Sequence, residues 1–473
     1  MSNLDLSYTS AFNLAKMIKS KRLSPVELID NTLKRIEEIN PKLNAFCFVY
    51  PDEALINARA AEDAIINGDT VGPLHGVPIA IKDLTPTRGK RTTMGSYVKE
   101  NWIPEFDAIV VERLIQAGAI MVGKTTTSEF ACALRSGSPL WGITRNPWDT
   151  ECTPGFSSAG SAVAVATGCV PIAEGSDAGG SVRNPAAYCG LVGLKPSFGR
   201  IPFEILPSQL DQTCHFGPLS RTVDDAALFL SVTQGPDTRD LQAFIPSIDI
   251  QVPILDEVQG LHIAFSPDLG YAAVHHDVSR NLLTAVDALK ERGAVVEEIS
   301  LNLTKEVSEV DAIHWDVYAA LLLESEIENL DEWRSKLDPL FVESVERGLR
   351  IRAIDLKRCE IVATRMWNTI RQVFERYDVL LCPSALTPAM KLDGSLEDFG
   401  FEDENGRYHA RSLSGPFNLI GRCPALQVPC GFSADGLPTG AQIIGQRYDD
   451  LCVLKVGKAL EQVFSWPSVR PPI

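Results

Sequence analysis

The chain has 473 residues, room for about three domains of average size, although large α/β enzymes fill such a length in one piece. Apolar residues make up 45% and charged residues 22%, which excludes wholesale disorder, collagen-like repeats and a coiled coil. With 44 Lys and Arg against 61 Asp and Glu, the net charge of −17 repels phosphate backbones and anionic lipid surfaces, so neither nucleic acid nor a membrane is expected as a partner.

The opening MSNLDLSYTS has no basic stretch leading into an apolar one, and no window offers about 18 uninterrupted apolar residues, so a cytoplasmic location is expected. The 11 cysteines stand singly with no C-x-x-C pair. They read as free thiols rather than a disulfide framework or a zinc knuckle.

Ser24-Pro25-Val26-Glu27 is a capping box with Pro at the first helical position. It starts an amphipathic helix that runs through Ile39 and stops before Pro41. A second helix, from about Glu53 to Ile66, ends near Gly68. Short apolar strands follow at Val77 to Ile81, Ile120 to Val122 and Pro171 to Ala173, alternating with helices such as Asp107 to Ala117. Ile263 to Ser300 repeats the theme as strand, helix (Asp277 to Arg292) and strand, and a helical stretch from about Thr304 to Arg376 forms a lobe over the sheet. Val379 to Cys382 and Ala425 to Pro429 read as strands, and a helix from about Leu451 to Phe464 closes the series. This alternation predicts an α/β fold with a sheet covered by helices on both faces. No linker, low-complexity tract or internal repeat interrupts it. One domain over residues 1–473 is expected, with an N-terminal helical segment 1–68 and a helical lobe at about 304–376.

One stretch departs from core composition. In Thr153 to Gly168 and then Glu174 to Arg183, two loops dense in Gly and Ser flank a helix of small residues and a short strand. Glycines before a serine leave backbone N–H groups uncovered, so Ala178, Gly179, Gly180 and Ser181 can present donors to a tetrahedral intermediate. Such a serine needs a base. No Ser-His-Asp arrangement is indicated, because Gly155-Phe-Ser-Ser-Ala159 ends in Ala and lies outside the strand-to-helix turn of a nucleophile elbow. Lys82 closes the apolar run that starts at Gly76, at the end of a strand that should be buried. A charge there requires a partner or a lowered pKa.

These residues resemble the amidase signature family of Ser-Ser-Lys hydrolases. The likeness runs through G-V-P-x-x-x-K-D (Gly76 to Asp83), G-I-T-R-N-P-W-D (Gly142 to Asp149), D-x-G-G-S-x-R (Asp177 to Arg183) and G-L-P-T-G-A-Q-I-I-G (Gly436 to Gly445), and the spacings of Lys82, Ser157 and Ser181 agree. The resemblance implies a mixed sheet of about eleven strands sandwiched by helices. It also implies Ser181 as nucleophile, Ser157 as bridging serine with a cis peptide before it, and Lys82 as base, with no metal or cofactor. A neutral Lys can take a proton through a bridging hydroxyl.

The first serine loop departs from the family's G-G-S-S-G-G-S: Phe156 and Ala159 replace two glycines. Phe156 either forms pocket wall or fills core. Ser158 is expected to orient Lys82, and Asp177 to pair with Arg183 and brace the oxyanion donors. Phe130, Leu134, Trp141 and Phe156 are candidate walls of an apolar pocket. Gly217 to Asp224 is expected to open a helix, His275-His276-Asp277 to start another rather than bind metal, and Glu324, Glu326, Glu328 and Asp331 to form a solvated helix face.

The resemblance implies cleavage of carboxamide C–N bonds, of the sort made by aryl acylamidases. Small aryl or alkyl amides, carbamates (urethanes) and nylon-type oligoamides are the substrates considered, and homodimerisation is left open. The alternative is the glutaminase subunit of a tRNA-dependent amidotransferase, against which the apolar candidates offer no pair of charges for a free amino acid. A third reading, a binding scaffold with a decayed site, sits poorly with an intact triad.

Overall fold

An eleven-stranded mixed sheet organises the computed structural model, which describes residues 3–132, 136–327, 329–394 and 398–473. Leu134 and Glu328 lie outside the described residues. In chain order the strands are β1 (Phe46–Val49), β2 (Pro78–Lys82), β3 (Ile120–Thr125), β4 (Gly137–Ser138), β5 (Gly142–Ile143), β6 (Ile172–Asp177), β7 (Val192–Lys195), β8 (His215–Ser220), β9 (His262–Phe265), β10 (Val295–Glu298), β11 (Val379–Pro383), β12 (Ala425–Phe432) and β13 (Pro438–Gly445). β4 and β5 form a separate small hairpin. The others lie in the order β1-β3-β2-β6-β8-β7-β12-β13-β11-β9-β10. β2 runs parallel to β3 and β6, and β9 parallel to β10 and β11; the remaining neighbours are antiparallel.

Side-chain alternation assigns each strand to two cores. Ile79, Ile81 and Met121 enter one face, packed with Leu114, Phe229, Leu282 and Leu454 from covering helices. Ala80 and Val122 enter the other face, packed with Ile29, Ile36 and Ala58 of the N-terminal helices and with Val163 and Val165 of the helix Ala159–Ala166. The expected helices on both faces are therefore present.

Several boundaries move. The first long helix spans Pro25–Leu43 and passes through Pro41. Proline costs most in a helix interior; here the helix ends two residues later, where Asn44, at φ 53°, gives its N–H to the Asn40 carbonyl. Ser24 caps the start, accepting from the backbone of Val26 and Glu27. Gly217 to Ser220 is strand rather than helix start, and the helix Val223–Thr233 follows with Thr222 as its cap. β7, β8 and β13 are buried throughout and each contains Gly, with Pro also in β8 and β13, so alternation and strand propensity do not mark them. Gly217 shows why glycine serves there: a Cβ would lie 1.9 Å from the Leu194 carbonyl oxygen.

The lobe consists of helices Glu306–Leu322, Leu330–Trp333, Pro339–Gly348 and Ala353–Val373, with a π-helical turn at Leu323–Ile327. Its acidic run is partly engaged: Glu326 pairs with Lys99 and Asp331 lies 3.6 Å from Arg334. His275 caps the helix His276–Glu291 by accepting from the Asp277 N–H, and Asp277 accepts from the Ala434 N–H at 3.0 Å. Among the described residues no helix is long and apolar enough to cross a membrane.

Candidate active site

Lys82 ends β2 and, by strand alternation, shares the face of Ala80, on which the helix Ala159–Ala166 packs. Its side chain is fully buried. Nζ lies 2.7 Å from Ser157 Oγ, 3.0 Å from Ser158 Oγ and 2.9 Å from Ser176 Oγ. Among the described residues no carboxylate forms an ion pair with it. Glu174 on β6 instead accepts from the Lys82 backbone N–H at 2.9 Å and from Thr85 Oγ1 at 3.1 Å. Burial drives the Lys82 amine well below its ordinary range, against the opposing pull of Glu174 and Asp177; burial likewise drives the Glu174 carboxyl up. Three hydroxyls suit such an amine, since a neutral one offers two N–H donors and one lone pair. Ser158 is tied in turn to β6, at 3.3 Å from both the Ser176 carbonyl and the Ser176 N–H.

The second serine loop leaves β6 at Asp177 and enters the helix Arg183–Cys189. Asp177 and Arg183 form a buried bidentate pair, with Oδ1 2.8 Å from Nη2 and Oδ2 3.0 Å from Nε. Arg183 also donates to the Ser414 carbonyl, Gln442 Oε1 and Asn418 Oδ1. Burial alone would raise the Asp177 carboxyl, but Arg183 and Asn418 hold it well below the usual carboxylate range. Asp177 therefore stays charged and braces the loop. It also takes the Gly180 N–H at 2.8 Å, which removes Gly180 from the expected set of oxyanion donors. Among the described residues the N–H groups of Ala178, Gly179 and Ser181 meet no acceptor. Gly179 has no room for a side chain: a Cβ would lie 2.6 Å from Trp315 Nε1.

Ser181 opens onto a cavity of about 280 Å³. One wall carries Ala131, Cys132, Phe156 and Gly179. The other comes from the lobe and the segment after it, with Asp311, Trp315, Asp316, Arg347, Phe399, Tyr408 and Arg411. Asp316 is held by Arg347 through contacts of 2.8 and 2.9 Å. Burial lifts the Asp311 carboxyl to about 7. The arrangement sets a lysine disfavoured in its charged form against three buried hydroxyls, with Ser181 on the cavity wall and uncovered backbone donors beside it, the groups that acyl transfer by a base and an oxyanion hole calls for.

Of the apolar candidates, Phe156 lines the cavity, whereas Phe130 and Trp141 are not among its walls. Phe130 is buried under the lobe, its ring 5.2 Å from that of Phe341. Trp141 gives its indole N–H to Thr93 Oγ1 at 2.8 Å and packs edge-on to Phe48 at 5.1 Å, on the β1 side of the molecule. The cavity is also more polar than expected, with two acids and two arginines on its far wall. The peptide before Ser157 is not cis; among the described residues the cis bond is Val252–Pro253. A cis non-proline bond costs about 3 kcal/mol, and with a trans peptide Ser157 already reaches Lys82.

Ser176 and Glu174 escaped sequence reasoning, although both stand on the strand that leads to the second serine loop, where period 2 could have marked them. Nothing in the sequence marked Asp311, Trp315, Arg347 or Arg411, since no spacing links them to the serine loops.

Residues 27–454 match the amidase family. Among sequence relatives, the chain is 36% identical to a protein of Geobacillus thermodenitrificans (strain NG80-2) that is one of the subunits of glutamyl-tRNA(Gln) amidotransferase, over 97% of this chain and 98% of that protein. Its fold superposes on a bacterial aryl acylamidase of the amidase signature enzymes with a TM-score of 0.90 at 29% identity, covering 98% of this chain and 99% of that one. With the corresponding glutamyl-tRNA(Gln) amidotransferase protein of Thermotoga maritima the TM-score is 0.76 at 29% identity, over 97% and 95% of the two chains. A sheet of this order, a lysine set among serines and a match over nearly the whole chain have one reading: the protein belongs to the amidase signature family.

Proposed function

We propose that the protein is a single-domain hydrolase of small carboxamides that works through an acyl-enzyme on Ser181. Ser181 Oγ attacks the carbonyl carbon while its proton passes to Ser157, whose own proton goes to Lys82 Nζ. The developing oxyanion is met by the N–H groups of Ala178, Gly179 and Ser181. When the C–N bond breaks, Ser157 returns a proton to the leaving nitrogen, and water then hydrolyses the ester by the reverse relay. Ser158 and Ser176 hold the amine in place. The observation that carries this reading is the buried Lys82 amine, 2.7 Å from Ser157 and without a carboxylate partner among the described residues, together with Ser181 on the wall of the cavity.

For substrate, Phe156, Trp315 and Phe399 favour aryl or alkyl amides, such as anilides, with aryl carbamates and short oligoamides as relatives of the same chemistry. The high structural similarity to an aryl acylamidase supports this. A second reading, the glutaminase subunit of a tRNA amidotransferase, is favoured by the sequence relatives and by the charged far wall, which offers the charges that a free amino acid needs. Purified protein should be given a 4-nitroanilide panel, an aryl carbamate, a linear oligoamide and glutamine, with aniline and ammonia release measured. Turnover of anilides by the chain alone is expected. Ammonia from glutamine with no anilide turnover would establish the second reading instead.

A further inference from the structure

Arg411 lines the same cavity as Ser181, and its guanidinium has no hydrogen bond or ion pair among the described residues. The buried arginines elsewhere in the molecule behave differently. Arg183 is paired with Asp177, Arg200 with Asp450, and Arg221 donates to four carbonyls. None of the Arg411 nitrogens is closed off from the cavity, so its five donors stand free for an acceptor that enters there.

The cavity's own acids do not serve it. Asp316 is spent on Arg347, and Asp311 lies against Gly415, where an added Cβ would meet its Oδ2 at 2.2 Å. Arg347 is in turn compensated by Asp316, which leaves Arg411 as the cavity arginine without a counter-charge among the described residues. What does face Arg411 is the Phe399 ring, with the guanidinium carbon 5.8 Å from its centroid. Burial lowers the Arg411 guanidinium to about 10, which leaves it cationic at neutral pH. Its backbone is not a loose tether: Ala385 bridges Ser412, whose Oγ accepts from Asn184 Nδ2 at 3.1 Å, three residues after Ser181. An uncompensated guanidinium thus lines the same cavity as Ser181, against the Phe399 ring and on a backbone tied through Ser412 to the helix that follows Ser181.

We propose that Arg411 anchors a carboxylate of the substrate, so that the amides cleaved at Ser181 carry an acid group on the part that reaches the Phe399–Tyr408–Arg411 wall. A guanidinium matches a carboxylate bidentately. The inference rests on the amidase reading above and narrows its preferred substrates to amides of amino acids, dicarboxylic half-acids or aminobenzoates, with neutral anilides cleaved less efficiently.

The test compares kcat/KM for partners that differ in an acid group, on both sides of the bond. Mono-4-nitroanilides of succinic, glutaric and adipic acids are set against butyryl, valeryl and hexanoyl 4-nitroanilides, and 4-acetamidobenzoate against acetanilide. In at least one pair the acid should be preferred by about 10- to 100-fold, mainly through KM. That ratio should collapse in Arg411→Gln and be partly kept in Arg411→Lys; being taken within one variant, it is insensitive to loss of folded protein. Wild-type enzyme supplies a second reading that needs no variant: glutarate or adipate should inhibit neutral-anilide turnover competitively, and 1,5-pentanediol or 1,6-hexanediol, which carry neither an acid nor a cleavable carbonyl, should not. No acid preference in any pair, or a preference unchanged in Arg411→Gln, would overturn the anchor while neutral-anilide turnover lost in Ser181→Ala kept the amidase reading. If no amide of either kind is cleaved, both fall together.

Discussion

The buried lysine–serine cluster, which forms the floor of the site, and the far wall of the cavity are built on opposite plans. The floor places Lys82, Ser157, Ser158, Ser176 and Asp177 on strands and loop ends that are buried and hydrogen-bonded throughout. The far wall takes Asp311, Trp315, Asp316, Arg347 and Arg411 from lobe helices and a connecting segment, and these side chains are partly exposed and partly unpaired. Chemistry that depends on a proton path of hydrogen-bond length needs the first plan, since misplacement by about 1 Å can cost about 100-fold. Recognition tolerates the second, because the substrate completes the pairing.

Mild floor variants would break this contrast most severely. Lys82→Ala and Ser157→Ala should each lower kcat by at least about 10⁴-fold with folding intact, since groups acting as one unit fail together; steady-state kinetics with circular dichroism checks this. Near-wild-type rates for Ser157→Ala would remove the bridging role. Next in size is Asp177→Asn, which leaves Arg183 buried without its counter-charge and should cost about 3–5 kcal/mol of stability, read from denaturant unfolding. A loss below about 1 kcal/mol would mean that the loop is braced by other contacts.

The pH profile separates floor from wall further. Because burial lowers the Lys82 pKa, the neutral, proton-accepting form grows as pH rises through that lowered value. The kcat/KM of the free enzyme should therefore climb to a plateau on the neutral-to-alkaline side. A maximum near about pH 5, falling as pH rises, would assign the base to a carboxylate instead.

The same division explains what was legible in the sequence. The floor is written in short contiguous motifs, so Lys82, Ser157, Ser181 and the Asp177–Arg183 pair could be named from spacing, and the helices around the sheet from 3.6-residue periodicity. Fully buried strands such as β8 lack alternation, and Gly217 and Pro218 argue against a strand when read alone. The far wall joins residues more than a hundred positions away from the serine loops. Their convergence depends on how the lobe packs on the sheet, which no local pattern encodes. Phe130 and Trp141 illustrate the opposite error: close in sequence to a serine loop, Phe130 packs into the core of the lobe and Trp141 against Phe48 beside β1.

The most direct test of the central claim is mass spectrometry of the enzyme quenched during turnover of a slowly deacylating aryl ester or carbamate. An acyl adduct should appear on the peptide containing Ser181, formed with a burst of leaving group, absent in Ser181→Ala and slowed in Lys82→Ala. Steady turnover with an unmodified Ser181, or an adduct on Ser157 or a cysteine such as Cys132, would contradict it.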